Sequence, residues 1–286
     1  MSRADLTLSV LDFPGRMRDS LELAQHVERY GYHRYWLAEH APQPNPILMA
    51  GMVGAVTKTL RVGTGGILFH SYSPARAAYD FQLLEDQYPG RIDAGFCGGW
   101  FPDRLVDDYL DGRPPECKSN SAGYERRVRR FVRTLRAEDA CSLWPHGPVQ
   151  PPEIWCMGSG ARSLELAVQN GLSFAYSLFH RTSQSRPEYL EEYRRSIQTN
   201  HLGSAQCAVA AAIACAADDA SAQKLVEQSD VAAIVPTVIG TPHRCIDKLH
   251  GIAERFGVNE VILLNLANHS GDRAKSFEEL IRARDD

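Results

Sequence analysis

The chain has 286 residues, of which 44% are hydrophobic and 23% are charged, and its formal net charge is −4. This composition is typical of a globular protein with a sizeable core. The slight acidic excess gives no electrostatic reason to expect binding to nucleic acid or to an anionic membrane.

Eight apolar segments predict β-strands along the chain. They cover residues 6–12, 32–40, 61–69, 91–99, 153–160, 174–180, 207–216 and 260–268. Their apolar runs are continuous, which is typical of parallel strands that are covered on both faces.

Segments with helical spacing separate these strands. They cover residues 20–31, 46–58, 73–90, 124–137, 161–170, 187–199, 218–227, 241–256 and 274–284. The first ends at Gly31, and the third begins with Ser73 and Pro74, which are a favoured cap and first helical residue.

Eight strands that alternate with helices predict a (β/α)8 barrel, an α/β fold, formed by a single domain over residues 1–286. A doubly wound open sheet is the structural alternative. The longest connection, residues 100–121, is polar and contains prolines. We expect this connection to act as a lid over the mouth of the barrel.

The seven cysteines are an odd number and include no Cys-x-x-Cys pair. This argues against a disulfide framework and against a zinc site, so we expect reduced thiols and no metal. The first residues lack the features of a signal peptide, and no apolar run approaches the ~20 residues that cross a bilayer. We therefore expect a cytoplasmic protein.

The predicted strands end in polar or glycine residues, which is expected if the strand ends surround a ligand. These ends include Glu39 and His40, Gly65 and Gly66, Cys97 and Gly98, and the turn Gly158, Ser159 and Gly160. Asp12, Tyr72, Trp100 and His180 are expected to face a substrate at the same end of the barrel.

Several segments, in this order, resemble the bacterial luciferase-like flavin monooxygenases. They read LDFPGR, SLELAQHVERYGYHRYWLAEH, LRVGTGGILFHSYSPARAAYDFQLLEDQYPGRIDAGF, PPEIWCMGSGARSLELAVQNGLSFAYS and IGTPHRCIDKLHGIAERFGVNEVIL. The resemblance implies a TIM barrel that binds reduced FMN, activates O2 as a flavin C4a-peroxide and oxygenates a small organic substrate. It also implies a homodimer and a separate flavin reductase that supplies FMNH2.

His40 matches the active-site histidine of that family, and Glu39 is the neighbour expected to orient it. A histidine titrates near neutral pH, so it can both donate and accept a proton during catalysis. A rim histidine that only caps a loop is the structural alternative. Many family members have a second histidine at the next position, whereas this chain has Ala41.

Gly65 and Gly66 match a pair of small residues beneath the flavin, sometimes joined by a cis peptide. Glycines allow close approach to a flat ring, although a strand bulge is the alternative interpretation. Cys97 matches the position of a reactive thiol in some relatives. A buried cysteine more often serves only as a small hydrophobic residue.

The resemblance also implies an arginine for the FMN phosphate, but this chain has Gly98 and Gly99 at that place. The turn 157–163, MGSGARS, leads into a helix, and backbone N–H groups at a helix N-terminus bind anions. We expect Gly158, Ser159, Gly160, Arg162 and Ser163 to hold the phosphate, with Arg162 as the replacement charge.

Two alternatives to this function remain open. The first is an F420-dependent oxidoreductase on the same barrel, and the second is a flavin-binding barrel without catalysis.

The basic helix 124–136, with six arginines, is interpreted as a solvated face, an anion site or a docking face for the reductase. No G-x-G-x-x-G fingerprint for NAD(P)H is present, so electrons are expected to arrive on FMNH2.

Overall fold

The structure, a computed structural model, describes residues 3–40, 44–99, 105–106, 110, 121–136, 150–200, 205–229 and 234–286. The predicted lid, residues 100–121, and the positions Ala41 and Trp100 lie outside these residues, except for 105, 106, 110 and 121. Within the described chain, no helix is both long and apolar enough to span a membrane.

Ten strands are present in the described chain, and all eight predicted strands are among them. They are β1 (Thr7–Asp12), β2 (Arg34–Leu37), β3 (Arg61–Thr64), β4 (Ile67–Leu68), β5 (Ile92–Cys97), β6 (Glu153–Gly158), β7 (Ser173–Ser177), β8 (Cys207–Cys215), β9 (Val238–Gly240) and β10 (Glu260–Asn265).

The strands alternate with α-helices. These are α1 (Met17–Arg29), α2 (Pro46–Val56), α3 (Pro74–Gln87), α4 (Ser121–Leu135), α5 (Ala161–Asn170), α6 (Glu188–Thr199), α7 (Asp219–Gln228), α8 (Pro242–Phe256) and α9 (Ser270–Asp285). Local signals set several ends: the Asn45 side chain caps α2, and Gly171 and Gly257 end α5 and α8 in the left-handed conformation.

The sheet closes into a barrel of eight parallel strands. The strand order is β10-β1-β2-β3-β5-β6-β7-β8, and β8 pairs again with β10. This closure confirms the (β/α)8 prediction and excludes the doubly wound open sheet. Two short strands lie off the ring: β4 pairs with β5, and β9, which we did not predict, pairs with β8.

Two apolar cores follow from the alternation of side chains along each strand. The larger core lies between the barrel and its helices, and the smaller core fills the barrel interior. In the interior, Trp36 and Trp155 meet edge to face with ring centroids 5.4 Å apart. The guanidinium of Arg34 lies 5.0 Å from the centre of the Trp155 ring, on the side of the strand N-termini.

A buried charge cluster closes that N-terminal end of the barrel. Arg34 is 1% exposed, and its Nε donates to Asp93 Oδ2 at 3.1 Å. It also forms an ion pair with Glu260, and Arg61 binds the other Asp93 oxygen at 2.6 Å. Stabilising groups at this end leave the opposite, C-terminal end for function, as in other (β/α)8 barrels.

Candidate active site at the mouth of the barrel

A cavity of about 510 Å³ opens at the C-terminal ends of the strands. The described residues that line it come from most of the barrel strands and the loops that follow them. They are Leu11, Trp36, Gly65, Cys97, Gly98, Gly99, Met157, Gly158, Ser159, Ser163, Ala175, Ser177, Phe179, His180, Arg181, Thr182, Ala210 and Ile262. Six of the predicted site residues therefore line the same cavity: Gly65, Cys97, Gly98, Gly158, Ser159 and Ser163.

The β3–β4 junction forms one side of this cavity. The predicted strand 61–69 is interrupted there, and the peptide bond between Gly65 and Gly66 is cis. A Cβ atom on Gly65 would lie 2.6 Å from the Leu11 side chain, and one on Gly66 would lie 2.8 Å from the backbone of Phe96. Since backbone cannot move aside as a side chain can, Gly66 is required for the junction to pack against β5.

Cys97 and Gly98 lie beside this junction at the end of β5. The Cys97 thiol is partly buried and lies 3.7 Å from the carbonyl oxygen of Gly66, as a weak hydrogen-bond donor. This weak hydrogen bond links Cys97, in the wall of the cavity, to the Gly65–Gly66 peptide. Gly98 lines the main cavity and also a neighbouring one of about 90 Å³.

The turn between β6 and α5 forms the next part of the wall. Gly158 allows this turn to fold tightly, because a Cβ atom there would lie 2.0 Å from the Ser163 Oγ. Gly160 is the N-cap of α5 and has no side chain to occupy the helix N-terminus. Ser159 and Ser163 therefore present hydroxyl groups next to the first N–H groups of the helix, which is a favourable arrangement for an anion.

Arg162 is exposed on this turn and lines the smaller cavity together with Gly98 and Ser163. It is thus adjacent to the main cavity and is not one of its described lining residues. Two residues that we did not predict, Arg181 and Thr182, do line the main cavity from the loop after β7. The Thr182 hydroxyl lies 3.1 Å from the Ser159 hydroxyl, so this loop brings a second arginine to the same turn.

Glu39 lies just beyond β2, in the loop rather than in the strand we predicted. Its carboxylate accepts the backbone N–H of Leu68 at 2.5 Å and the hydroxyl of Tyr72 at 3.1 Å. Burial raises the pKa of Glu39 to about 7, against the opposing effect of these two hydrogen bonds. The carboxyl group thus changes charge near neutral pH while it holds β4 and the following turn in place.

His40 follows Glu39 and is exposed at the rim of the barrel. Neither Glu39 nor His40 is among the described residues that line the main cavity. Gly65, at the end of the neighbouring strand β3, does line it. The structure thus places the predicted acid–base pair next to the glycine junction and outside the cavity wall itself.

Asp12 does not face the cavity, contrary to our expectation. Its carboxylate accepts the hydroxyl groups of Ser20 at 2.6 Å and Tyr35 at 2.7 Å and forms an ion pair with Arg273 at 2.7 Å. These partners belong to α1, β2 and α9, so the carboxylate ties three elements together in the outer layer. Alternation along β1 sends Leu11, and not Asp12, into the barrel.

Two arginines of the basic segment 124–136, which includes most of helix α4, have a structural role. Arg127 donates to the backbone carbonyls of Phe69, His70 and Tyr72, in the turn after β4. Arg136, just past the helix end, donates to the carbonyls that end α5. Arg127 thus holds the turn after β4 at the mouth of the barrel, whereas Arg136 holds the loop between α5 and β7 at the opposite, N-terminal end.

A model of the luciferase-like monooxygenase family matches residues 4–234. The chain belongs to the luciferase-like monooxygenase family. It is therefore an enzyme, an oxidoreductase of a flavin-dependent family.

Sequence relatives agree with this assignment. A luciferase-like monooxygenase of Escherichia coli strain K12 is 29% identical over 292 residues, which cover 93% of this chain and 82% of that protein. The oxygenase component of a flavin-dependent trigonelline monooxygenase from Acinetobacter baylyi is 27% identical over 57% of this chain and 49% of that protein.

Solved structures share the fold over nearly the whole length. Apo-MsnO8 superposes with a TM-score of 0.83 at 26% identity and covers 97% of this chain and 98% of that one. The oxygenating constituent of 3,6-diketocamphane monooxygenase, in complex with FMN, has a TM-score of 0.71 at 16% identity, with 97% of each chain covered. An F420-dependent secondary alcohol dehydrogenase has a TM-score of 0.72 at 15% identity, with 100% of each chain covered. The last two matches bear on the fold alone.

The wall of this cavity suits a flat ligand on one side and an anion on another. Gly65 adds no side chain to the wall, and a Cβ atom there would lie 2.6 Å from Leu11, which lines the same cavity. The serines of the β6–α5 turn and the N-terminus of α5 supply hydrogen-bond donors for an anion. Among the described residues, no group of three or more His, Cys, Asp or Glu side chains is placed to bind a metal ion.

Proposed function

We propose that this enzyme is the oxygenase of a two-component system, which binds reduced FMN at the barrel mouth and oxygenates a small organic substrate with O2. The observation that carries the proposal is the single cavity that joins the Gly65–Gly66 junction to the β6–α5 turn. One end of this cavity suits a flat ring and the other suits a phosphate. When bound, reduced FMN would supply the electrons with which O2 is activated.

The phosphate would be held by the β6–α5 turn. Ser159, Ser163 and the free N–H groups of α5 would donate hydrogen bonds to its oxygens. Arg162 and Arg181, which approach this turn from two loops, would supply the positive charge that Gly98 cannot supply. These two arginines make the phosphate site of this chain different from one built around an arginine on β5.

The ring would lie against Gly65 and Gly66, with Cys97 at its edge. Glu39 would hold a proton on its carboxyl group below about pH 7 and release it above, since burial raises its pKa to that value. His40 lies beside it at the rim and outside the described lining of the cavity, so it would donate or accept protons at the outer edge of the bound ligand. Glu39 would orient this loop through its hydrogen bonds to Leu68 and Tyr72.

Equilibrium binding of FMN and of riboflavin, which lacks the phosphate, tests the phosphate site. We expect Ser163→Ala to weaken FMN binding about 10- to 100-fold, the loss typical of a hydrogen bond to a charged group. Riboflavin binding should be unchanged by the same substitution. Ser196→Ala on the outer helix α6 is the matched control. Equal effects on both ligands would refute the assignment of the phosphate to this turn.

Reoxidation of photoreduced FMN tests the reaction. We expect the protein to bind reduced FMN without O2 and to change its rate of reoxidation when O2 is added in a stopped-flow instrument. If the protein neither binds reduced FMN nor alters this rate, the proposal is wrong. F420 is the alternative cofactor, since Gly98 removes the side chain expected at an FMN phosphate site. Tighter equilibrium binding of F420 than of FMN would favour it.

We also propose that the enzyme is a homodimer that receives FMNH2 from a separate reductase. Helix α2 has no charged residue, and three apolar side chains on α2 and α3 are largely exposed: Leu48 at 64%, Met52 at 43% and Leu83 at 50%. Exposed apolar side chains close together are typical of a subunit contact. Sedimentation equilibrium of the parent and of Leu48→Glu tests this, with a monomeric parent as the contrary result.

A further inference from the structure

The outer side of α4 concentrates positive charge. The segment 124–136 contains six arginines and one glutamate, a net charge of +5, whereas the whole chain carries −4, so the rest of the chain carries −9. Two of the arginines donate to backbone carbonyls, as described above. The other four are exposed to solvent, and we call them the basic face: Arg126, Arg129, Arg130 and Arg133.

The spacing of these four arginines places them on one stripe of the helix. They follow the pattern i, i+3, i+4 and i+7, and the opposite side of α4 is apolar and buried, as at Val128 and Phe131. The stripe is about 10 Å long, at the rise of 1.5 Å per residue of an α-helix. Like charges four positions apart destabilise a helix, so helix stability does not explain this arrangement.

The basic face is not neutralised by neighbouring carboxylates. On the adjacent helix α3, Arg76 pairs with Asp80 four positions away at 3.1 Å, and α9 has two pairs of the same spacing. Within the described part of the chain, Arg126, Arg129 and Arg130 form no ion pair. Their charge is therefore available to an anion outside the protein.

The basic face begins beside the turn to which we assign the phosphate. Helix α4 precedes β6 in the chain, and its first turn lies at the mouth of the barrel, where Arg127 binds the turn after β4. Tyr124 and Glu125, in that first turn, line the small cavity together with Arg162 and Ser163 of the β6–α5 turn. The basic face thus runs along the outer wall and ends next to the proposed phosphate site.

A small anion fits this surface better than a docked protein does. Protein-binding surfaces depend on apolar and aromatic anchors surrounded by charge. The large apolar side chains that are exposed in the described chain lie on other elements: Leu48, Met52, Leu83 and Val235. A row of charges without such anchors changes the rate of association more than it stabilises a complex.

We propose that the basic face steers the phosphate group of reduced FMN toward the mouth of the barrel, and so accelerates its association without contacting the bound cofactor. The inference rests on the proposed function, because it takes reduced FMN as the ligand. An anion meets a repulsive net charge over most of this protein and an attractive one along α4. Steering of this kind depends on charge and falls as the ionic strength rises.

Stopped-flow mixing of the protein with photoreduced FMN, without O2, tests this through the fluorescence of the tryptophans, of which Trp36 lines the cavity. We expect Arg126→Gln/Arg130→Gln to lower the association rate constant about three- to tenfold at about 10 mM ionic strength. The difference should be less than about twofold near 1 M salt, where charges are screened within ~3 Å. The dissociation rate constant should not change.

Three controls isolate the charge and the phosphate. Arg126→Lys/Arg130→Lys keeps both charges and should keep the rate of the parent. Arg195→Gln/Lys224→Gln removes two exposed charges from α6 and α7 and should lower the rate less than twofold, by about as much as a change in net charge requires. Photoreduced riboflavin, which has no phosphate, should associate at one rate with all variants. Urea unfolding checks that each variant is folded.

The outcomes separate this inference from the proposed function. If no variant binds reduced FMN, the proposed function fails and the inference fails with it. If reduced FMN binds and Arg126→Gln/Arg130→Gln has the rate constants of the parent, the inference is overturned and the flavin assignment stands. Faster dissociation in that variant would place the arginines in the binding site and overturn steering. An equal loss of rate with riboflavin, or in the lysine variant, would also overturn it.

Discussion

Replacement of Glu39 by glutamine tests whether the Glu39 carboxyl group, at the mouth of the barrel, ionises near neutral pH. The pKa of Glu39 is about 7 in the folded chain against an ordinary value of 4.5. A raised carboxyl pKa means that the folded chain binds the proton more tightly than the unfolded chain does. Ionisation therefore destabilises the fold, and this effect grows as the pH rises from 4.5 to 7 and is complete above that range.

The size of the effect follows from the two pKa values. Each unit of difference corresponds to about 1.4 kcal/mol, so ionised Glu39 lowers the free energy of unfolding by about 3 kcal/mol above pH 7. A glutamine side chain at this position keeps an oxygen for the Leu68 N–H group and carries no charge at any pH. We expect Glu39→Gln to gain about 3 kcal/mol over the parent between pH 4.5 and pH 8.

Urea unfolding at half-unit steps of pH from 4.5 to 8 measures this difference. Glu22→Gln, on the exposed face of α1, is the matched control, and its difference from the parent should stay constant. A Glu39→Gln difference that does not change with pH would refute the raised pKa and the proton-exchange role of this carboxyl group. A difference that grows in the acidic direction would reverse the sign of the argument.

Two further substitutions test the walls of the barrel. Gly66→Ala should destabilise the fold by about 1–3 kcal/mol in urea unfolding, because its Cβ atom would lie 2.8 Å from the backbone of Phe96. Gly271→Ala, with no atom within 4 Å of the new Cβ, should change stability by less than about 1 kcal/mol. Arg34→Met should cost about 3–5 kcal/mol, because it leaves buried carboxylates without their cation. Arg76→Ala, at a side chain 79% exposed, should cost at most about 0.5 kcal/mol.

Each of these pairs has a contrary result. Equal stability of Gly66→Ala and Gly271→Ala would show that the junction can move away from β5. A small effect of Arg34→Met would show that the carboxylates at the N-terminal end are protonated or hydrated without their arginine.

Local pattern was sufficient to predict the barrel. Continuous apolar runs, helix caps and terminal glycines act over a few neighbouring residues, so they can be read without knowledge of the fold. The eight ring strands were predicted in this way, and so was the wall that joins Gly65, Cys97 and the β6–α5 turn. The short strand β9 was missed because three residues carry too little periodicity.

Only the tertiary structure decided which strand-end side chains share the cavity. Asp12 and Leu11 are adjacent in the chain, yet alternation sends Leu11 inward and Asp12 to Ser20, Tyr35 and Arg273. Ser177, which we did not single out, lines the cavity because β7 lies between β6 and β8 in the ring. The pKa of Glu39 likewise depends on burial by several elements at once. A sequence thus determines what each residue can do, whereas contacts between distant segments determine whether it does so at the site.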